Sequence, residues 1–360
     1  MMRYLLNLAR AMRVLLALGL ALFNAAVLAA TPMVQAKSAA PAYQLGPEQL
    51  GLVVNKNDPL SLEIAAYYAT QHHLAPEQIL EISLPTDRVW ITEGELEQVK
   101  AQIDAHFSPK IQALALAWSK PYRVNCIGMT YGITLGYVEG ICSNLGQPTP
   151  ESPYFNHPST QPFTDLGIRP SMMLAANDVS SAKKLIERGV QAWGNQPKAT
   201  AYFLTTTDQA RSSRAALFPP SQIVKKPAIK IENIHANTLK DKSDILIYQT
   251  GLANVADLAT LRFVPGALAD HLTSYGGMLT DSGQMSSMQW LESGATASYG
   301  TVSEPYSYPQ KFPHPQVLLA HYLSGATAVE AYWKSVAWPA QGVFIGDPLA
   351  APYRRLSPFK

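Results

Sequence analysis

The chain is short of charge and of cysteine. Only 15% of its 360 residues are Asp, Glu, Lys or Arg, and Cys126 and Cys142 are its only thiols. Two cysteines are too few for a disulfide-stapled scaffold. A hydrophobic content of 47% is too high for a disordered chain, and the 22 glycines keep no three-residue period that would wind a collagen helix. No motif recurs at a period of about twenty to fifty residues, which excludes a solenoid or propeller. There is no Walker loop, no G-x-S-x-G elbow, no H-E-x-x-H pair and no G-x-G-x-x-G after the first strand. What is present is a globular composition, long enough to bury a sizeable core in one large α/β domain or two smaller ones.

Residues 1–36 read as a secretory signal. Arg3, Arg10 and Arg13 stand without an acid before the apolar run Val14 to Phe23, and small residues follow from Asn24 to Ala30. Cleavage after Ala29 or after Ala36 fits the small-x-small pattern, with Ala36 preferred. The run is marginal for crossing ~30 Å of hydrocarbon and Asn24 interrupts it, so no stable membrane insertion is expected after cleavage. No cysteine lies near the cleavage region, so no lipid anchor is expected there. The expected location is periplasmic or extracellular. Losing the three arginines takes the formal charge from +2 to −1. A nucleic-acid partner would call for a basic stripe, and the one local cluster, Lys225, Lys226 and Lys230, is diluted by Pro227 and reads as a solvated loop. In an oxidising compartment Cys126 and Cys142 are expected to pair.

From residue 48 onward short apolar runs alternate with helical periodicity. Leu52 to Val54 reads as a buried strand. Asp58 and Pro59 read as an N-cap and first-position proline of a helix on which Leu60, Ile64, Tyr67 and Tyr68 share a face. Strand Ile79 to Leu84, helix Thr92 to Phe107 with a Thr92/Glu95 capping box, and strand Ala113 to Trp118 follow. Past an irregular stretch come strand Met172 to Ala175, helix Ser180 to Trp193, strand Thr200 to Leu204 and helix Asp208 to Leu217, stopped by Pro219-Pro220. Ile245 to Gln249, Gly277 to Thr280, Ala295 to Tyr299 and Val343 to Ile345 complete the strands, with His271 placed in a helix before Gly277. This pattern predicts a three-layer α/β/α sandwich on a mainly parallel sheet. The expected organisation is a signal at 1–36, a flexible leader at 37–47, an N-terminal α/β half at 48–218 and a C-terminal half at 228–360. A Gly- and Pro-rich insertion held by the disulfide interrupts the first half at about 120–170.

Ligands of open parallel sheets collect beyond the carboxyl ends of strands. That position singles out Asn55, Arg123, Thr250, Gly251 and Asp347 as candidate ligand-binding residues. The densest polar run lies between Gly276 and Tyr306. A hydroxyl there, ahead of a helix, could sit beside amides that stabilise an oxyanion, making Ser282 a candidate nucleophile assisted by Asp281 or Glu304. The same Asp281-Ser282 pair is equally suited to cap a helix. Asp281, Glu304 and Asp347 could hold a hard cation. No histidine metal site and no cofactor are expected, because His72 and His73 point apart on a helix and His314 reads as a solvated loop residue near His321.

Two resemblances rest on these residues. The run from Asp244 to Asp347, with its late Gly346-Asp347-Pro348, resembles the second half of the caspase/gingipain-type cysteine peptidase fold. That resemblance implies a histidine at one strand end and a cysteine at the next, but the corresponding ends read Gln249-Thr250-Gly251 and Thr280-Asp281-Ser282. The imidazole-activated thiolate of such enzymes has no counterpart there. The second resemblance spans most of the mature chain. It is carried by Val53-Val54-Asn55 with Pro59-Leu60-Ser61, Pro121-Tyr122-Arg123-Val124 with Cys126, and Arg169 to Ala175. Gly300 to Pro305, Lys311-Phe312-Pro313, Glu330-Ala331-Tyr332-Trp333 and Gly346 to Ala350 extend it. These are similar to an exported bacterial family found in genomes that carry exosortase, a membrane-bound protein-sorting machinery, and the likeness brings no activity with it. The end, Tyr353 to Lys360, offers no hydrophobic sorting tail. Together the resemblances imply an exported accessory or binding protein with a catalytically degenerate peptidase-like fold and an envelope or extracellular component as partner. The alternative is a serine-type or metal-assisted hydrolase at the C-terminal strand ends.

Closing the loop between the cysteines is worth about 3 kcal/mol in the chain-entropy model. A thiol assay on denatured, unreduced mature protein should therefore find no reactive thiol, and two would contradict the pairing.

Overall fold

The computed structural model describes residues 42–355. The signal segment and the leader up to residue 41 lie outside the described residues. β1 (Leu50–Asn55) turns through Asp58 into α1 (Pro59–His72), where the Asp58 carboxylate accepts the Leu60 amide at 3.0 Å. β2 (Ile79–Ile82) and β3 (Trp90–Ile91) precede α2 (Glu93–His106), whose Thr92/Glu95 capping box forms in full. After β4 (Ala113–Leu116) the chain leaves the sheet through β5 (Arg123–Val124), β6 (Ile127–Gly128), α3 (Met129–Leu135) and α4 (Pro162–Leu166). It returns as β7 (Ser171–Met173), α5 (Val179–Ala192) and β8 (Ala199–Thr205). The hairpin β9 (Gln222–Val224) and β10 (Ile229–His235) precedes β11 (Ile245–Thr250) and β12 (Phe263–His271). α6 (Met288–Glu292), β13 (Ala297–Thr301), α7 (Pro315–Leu323), α8 (Ala328–Ser335) and β14 (Gly342–Gly346) complete the chain.

Eleven strands form one sheet in the order β2-β1-β4-β7-β14-β13-β12-β11-β8-β10-β9. Period-two alternation feeds both faces. Leu52, Ala115, Met172 and Phe344 join the core under α1, α5, α7 and α8, while Val53, Leu116, Met173 and Ile345 face α2 and α3. The result is the three-layer α/β/α sandwich. Pairing is parallel except at the outer hairpin and at β13–β14, where Ala297 to Thr301 runs antiparallel against Gly346 to Gly342. Because β14 is parallel to β7, the block β2-β1-β4-β7-β14 runs opposite to the block β13-β12-β11-β8-β10.

The chain boundary expected at 219–227 does not coincide with this division. β8 precedes it yet lies in the second block, and β14, near the end of the chain, closes the first. Two elements also differ from the sequence reading. Asp208 to Leu217 is a turn followed by a short 3-10 helix at Ser213–Leu217. Gly277 to Thr280 is loop, and the strand is Phe263–His271, so His271 ends a strand instead of lying in a helix. Pro265 and Gly266 mask that strand's pattern. They fall where the pairing with β11 shifts register, and Gly266 has φ 88°, a bulge that accepts both residues.

The insertion is bound to the sheet rather than draped over it. Cys126 and Cys142 are bonded, with Cα atoms 5.6 Å apart. α3 fills the gap where β7 and β14 pair only at Met173 and Ile345. Thr130 Oγ1 accepts the Phe344 amide at 3.2 Å, and Thr134 Oγ1 accepts the Ser171 amide at 3.1 Å. Two buried ammonium groups act as posts for the rest: Lys311 donates to the Leu145 carbonyl at 2.8 Å and Lys334 to the Ser159 carbonyl at 2.6 Å. Burial pulls both down to about 8. Among the described residues no helix is long and apolar enough to cross a membrane.

Gly128 permits the backbone contact between the insertion and β14, since a Cβ there would sit 1.7 Å from the Gly342 carbonyl oxygen. Gly128→Ala should lower the unfolding free energy by about 2 kcal/mol or more in urea titration; a change within about 0.5 kcal/mol, as on a free surface, would contradict the contact.

Candidate functional site

Reversal at β13–β14 divides the strand ends, and with them the candidate residues, between opposite edges of the sheet. Asn55, Asn177 and Asp347 end or follow strands of the first block, while Thr250, Gly251, His271 and Glu304 end or follow strands of the second. Arg123 lies in the small three-stranded sheet, paired with Trp90.

At the first edge Asn55 and Asp347 brace their own turns. The Asn55 side-chain oxygen accepts the amides of Leu84 at 3.0 Å and Asn57 at 3.2 Å. Asp347 is fully buried and accepts the Leu349 amide at 2.9 Å and the Tyr68 hydroxyl at 3.3 Å. Its second oxygen lies 3.7 Å from His72 Nε2. His73 is the left-handed residue closing α1, so the two neighbouring histidines share no site.

The loops at the second edge bond mainly to one another. Thr206 Oγ1 donates to the Gly251 carbonyl at 2.7 Å, and a Cβ on Gly251 would stand 1.9 Å from the Arg211 carbonyl oxygen, so only glycine fits that crossing. Arg211 Nε donates to Thr273 Oγ1 at 3.1 Å, which donates to Gln284 at 2.7 Å. Ser282 neither caps α6, which begins six residues later, nor meets a base. Its hydroxyl donates to the Tyr275 carbonyl at 2.9 Å and accepts the Gln284 amide at 3.1 Å, folding its own loop. Asp281 accepts the Tyr122 hydroxyl. Glu304 accepts the Tyr306 amide at 2.9 Å, beside Gln341 at the start of β14. Asp347 lies past the other end of that strand. Among the described residues no three His, Cys, Asp or Glu side chains gather as a metal site.

His271, one residue from a buried carboxylate, is committed on both nitrogens. Trp290 Nε1 can only donate, so Nδ1, at 2.9 Å, accepts and the neutral ring's proton sits on Nε2, donating to the Met285 carbonyl at 3.1 Å. With 1% of its surface exposed, burial pulls its pKa down to about 3. His314 and His321 are likewise engaged: His314 Nδ1 caps α7, and His321 meets Tyr43 and Asn156.

On the other face of the same strand end lies a node that the sequence reading missed. Arg214 and Asp270, each 1% exposed, pair at 2.5 Å, and Gln249 donates to the second Asp270 oxygen at 2.9 Å. Arg214 also donates to the carbonyls of Thr250 at 3.1 Å and Pro313 at 3.2 Å, joining two strand ends and two loops. Burial pushes the Asp270 carboxyl upward, opposed by Arg214 and Gln249. One signal was available: an aspartate inside the apolar run Gly266 to Leu272 marks a buried charge that needs a partner.

No family model matches the chain, and no curated protein matches it. Among solved structures, one described as the structure of a protease shares 11% identity at a TM-score of 0.46, covering 87% of this chain and 80% of the other. A complex of the pro- and mature domains of Porphyromonas gingivalis RgpB shares 8% identity at a TM-score of 0.46, covering 84% and 79%. Likeness of this degree carries no argument about chemistry.

The state of His271 has a measurable consequence. Between about pH 3 and 6.5 the unfolded chain binds a proton there that the folded chain refuses, so stability is complete above the upper value and lost as pH falls through that window. Equilibrium unfolding should show a contribution approaching about 1.4 kcal/mol per pH unit that disappears in His271→Gln; an unchanged pH slope in that variant would contradict the assignment.

Proposed function

We propose that this chain is an exported binding or accessory protein on a degenerate peptidase-like α/β scaffold, working with an envelope or extracellular-polymer component in exosortase-carrying bacteria. The observation that carries the reading is the engagement of Ser282, Asp281, Glu304 and His271 in hydrogen bonds at the second edge. The imidazole that ends β12, His271, is buried, neutral and bonded on both nitrogens. Ser282 spends its hydroxyl within its own loop, and both cysteines are consumed in the disulfide. Acyl transfer needs a nucleophile within hydrogen-bond reach of a base that is free to take its proton. The signal-like sequence at 1–36 and the disulfide support export.

Hydrolysis through Ser282 predicts labelling of the purified mature protein by a fluorophosphonate probe and loss of the label in Ser282→Ala. The binding reading expects no labelling of either form above a heat-denatured control. Labelling that depends on Ser282 would overturn it.

A further inference from the structure

We propose that a cavity of about 110 Å³ between α5 and α6, beyond the carboxyl end of β7, binds a small organic carboxylate. It lies across the sheet from the sealed loops, next to the point where strand direction reverses. Position alone makes it the place where an open parallel sheet offers a crevice. Its walls come from two helix faces. Ser181, Lys184, Leu185 and Arg188 recur at three and four residues along α5, and Met288, Leu291 and Glu292 do so along α6.

The chemistry of the lining selects the ligand. Arg188 is fixed at the wall by Nη2, which donates to the carbonyls of Leu291 at 2.8 Å and Ala295 at 3.0 Å. Lys184 stands one turn away on the same face and forms no ion pair among the described residues. The acids nearby are already engaged. Glu292 accepts Asn177 Nδ2, Asp347 accepts Tyr68 and Leu349, and Glu187 accepts the Tyr67 hydroxyl at 2.9 Å. Asp178 caps α5 through the Ser181 amide at 2.8 Å. Hydrogen bonds from neutral donors leave these carboxylates charged, so the lining itself, Lys184 and Arg188 against Glu292, carries a net charge of +1, which one singly charged anion matches. Ala175, Leu185, Met288 and Leu291 supply an apolar part of the wall beside the polar Asn177 and Ser181, which gives an alkyl group a surface that an inorganic ion would leave uncovered. The volume holds about four water-sized groups, enough for a carboxylate with a short chain. That carboxylate belongs either to a free short-chain acid or to the C-terminus of a peptide.

The site gives the binding role proposed above a ligand class and rests on that role only for its biological sense. Its test does not involve the fluorophosphonate experiment, so the two can fail separately. In amide NMR titrations of the mature protein, butyrate should give saturable shifts within Asn177 to Arg188 and Met288 to Glu292, while n-butanol and n-butylamine should give none. Lys184→Gln, an exposed change that leaves the Arg188 hydrogen bonds intact, should weaken butyrate at least fivefold, and Arg188→Lys should also weaken it. Acetyl-Ala-Ala-Val as the free acid, compared with its amide, assigns the source: acid-selective binding tighter than butyrate indicates a peptide terminus, and weaker binding indicates a free acid. Absence of saturable butyrate shifts overturns the proposal. So does butanol binding as well as butyrate, inorganic phosphate binding as tightly as butyrate, or a Lys184→Gln protein that binds butyrate unchanged.

Discussion

The antiparallel contact between β13 and β14 sets the layout of the whole molecule. Every other pairing in the interior of the sheet is parallel, so this seam alone reverses direction and sends the strand ends of the two blocks to opposite edges. The neighbouring β7–β14 pairing consists of one residue pair, and the insertion supplies α3 beside it. An edge built from strand ends of a single direction would have set Asn55, Thr250, Glu304 and Asp347 along one side of the sheet. The reversal separates them and leaves each to serve its own turn.

Scarce charge is spent inside. Arg169 is buried, donates to the carbonyls of Ile111 and Phe107 at 3.0 Å each, and lies over the Phe163 ring. Arg214, Lys311 and Lys334 similarly satisfy the carbonyls of the loop residues Pro313, Leu145 and Ser159. An unpaired buried carbonyl is costly, and a buried cation is tolerated where its donors meet such acceptors. These groups explain how the irregular stretches of a long insertion are held to the sheet. They fix geometry more than they add stability, since buried ion pairs recover little beyond their desolvation cost.

Elements announced by local chemistry were legible in the sequence. The Asp58-Pro59 start, the Thr92/Glu95 box and the apolar runs of β1, β4 and β8 depend on neighbours within a few residues, and each forms where it was read. The disulfide followed from composition and compartment. β12 was hidden because its Pro265-Gly266 bulge is tolerated only through pairing with β11, a long-range fact. Misplacing that strand moved the expected strand end from His271 to Ser282, and the Arg214–Asp270 node was lost with it. The direction reversal could not be read at all, because parallel and antiparallel partners leave the same apolar pattern in a short buried strand. The cavity residues on α5 were legible as a helix face, but the opposing face of α6 was not, since that helix is only five residues long.

The central claim is that the two sets of strand ends face away from each other. Spin labels on Asp178→Cys, just beyond β7, and Tyr306→Cys, just beyond β13, read this directly, because the native cysteines are bonded and do not take label. A five-residue strand spans ~17 Å, so with the flanking turns the inter-label distance in double electron–electron resonance should exceed about 20 Å. A population centred below about 15 Å would place both sets of loops at one edge and contradict the account.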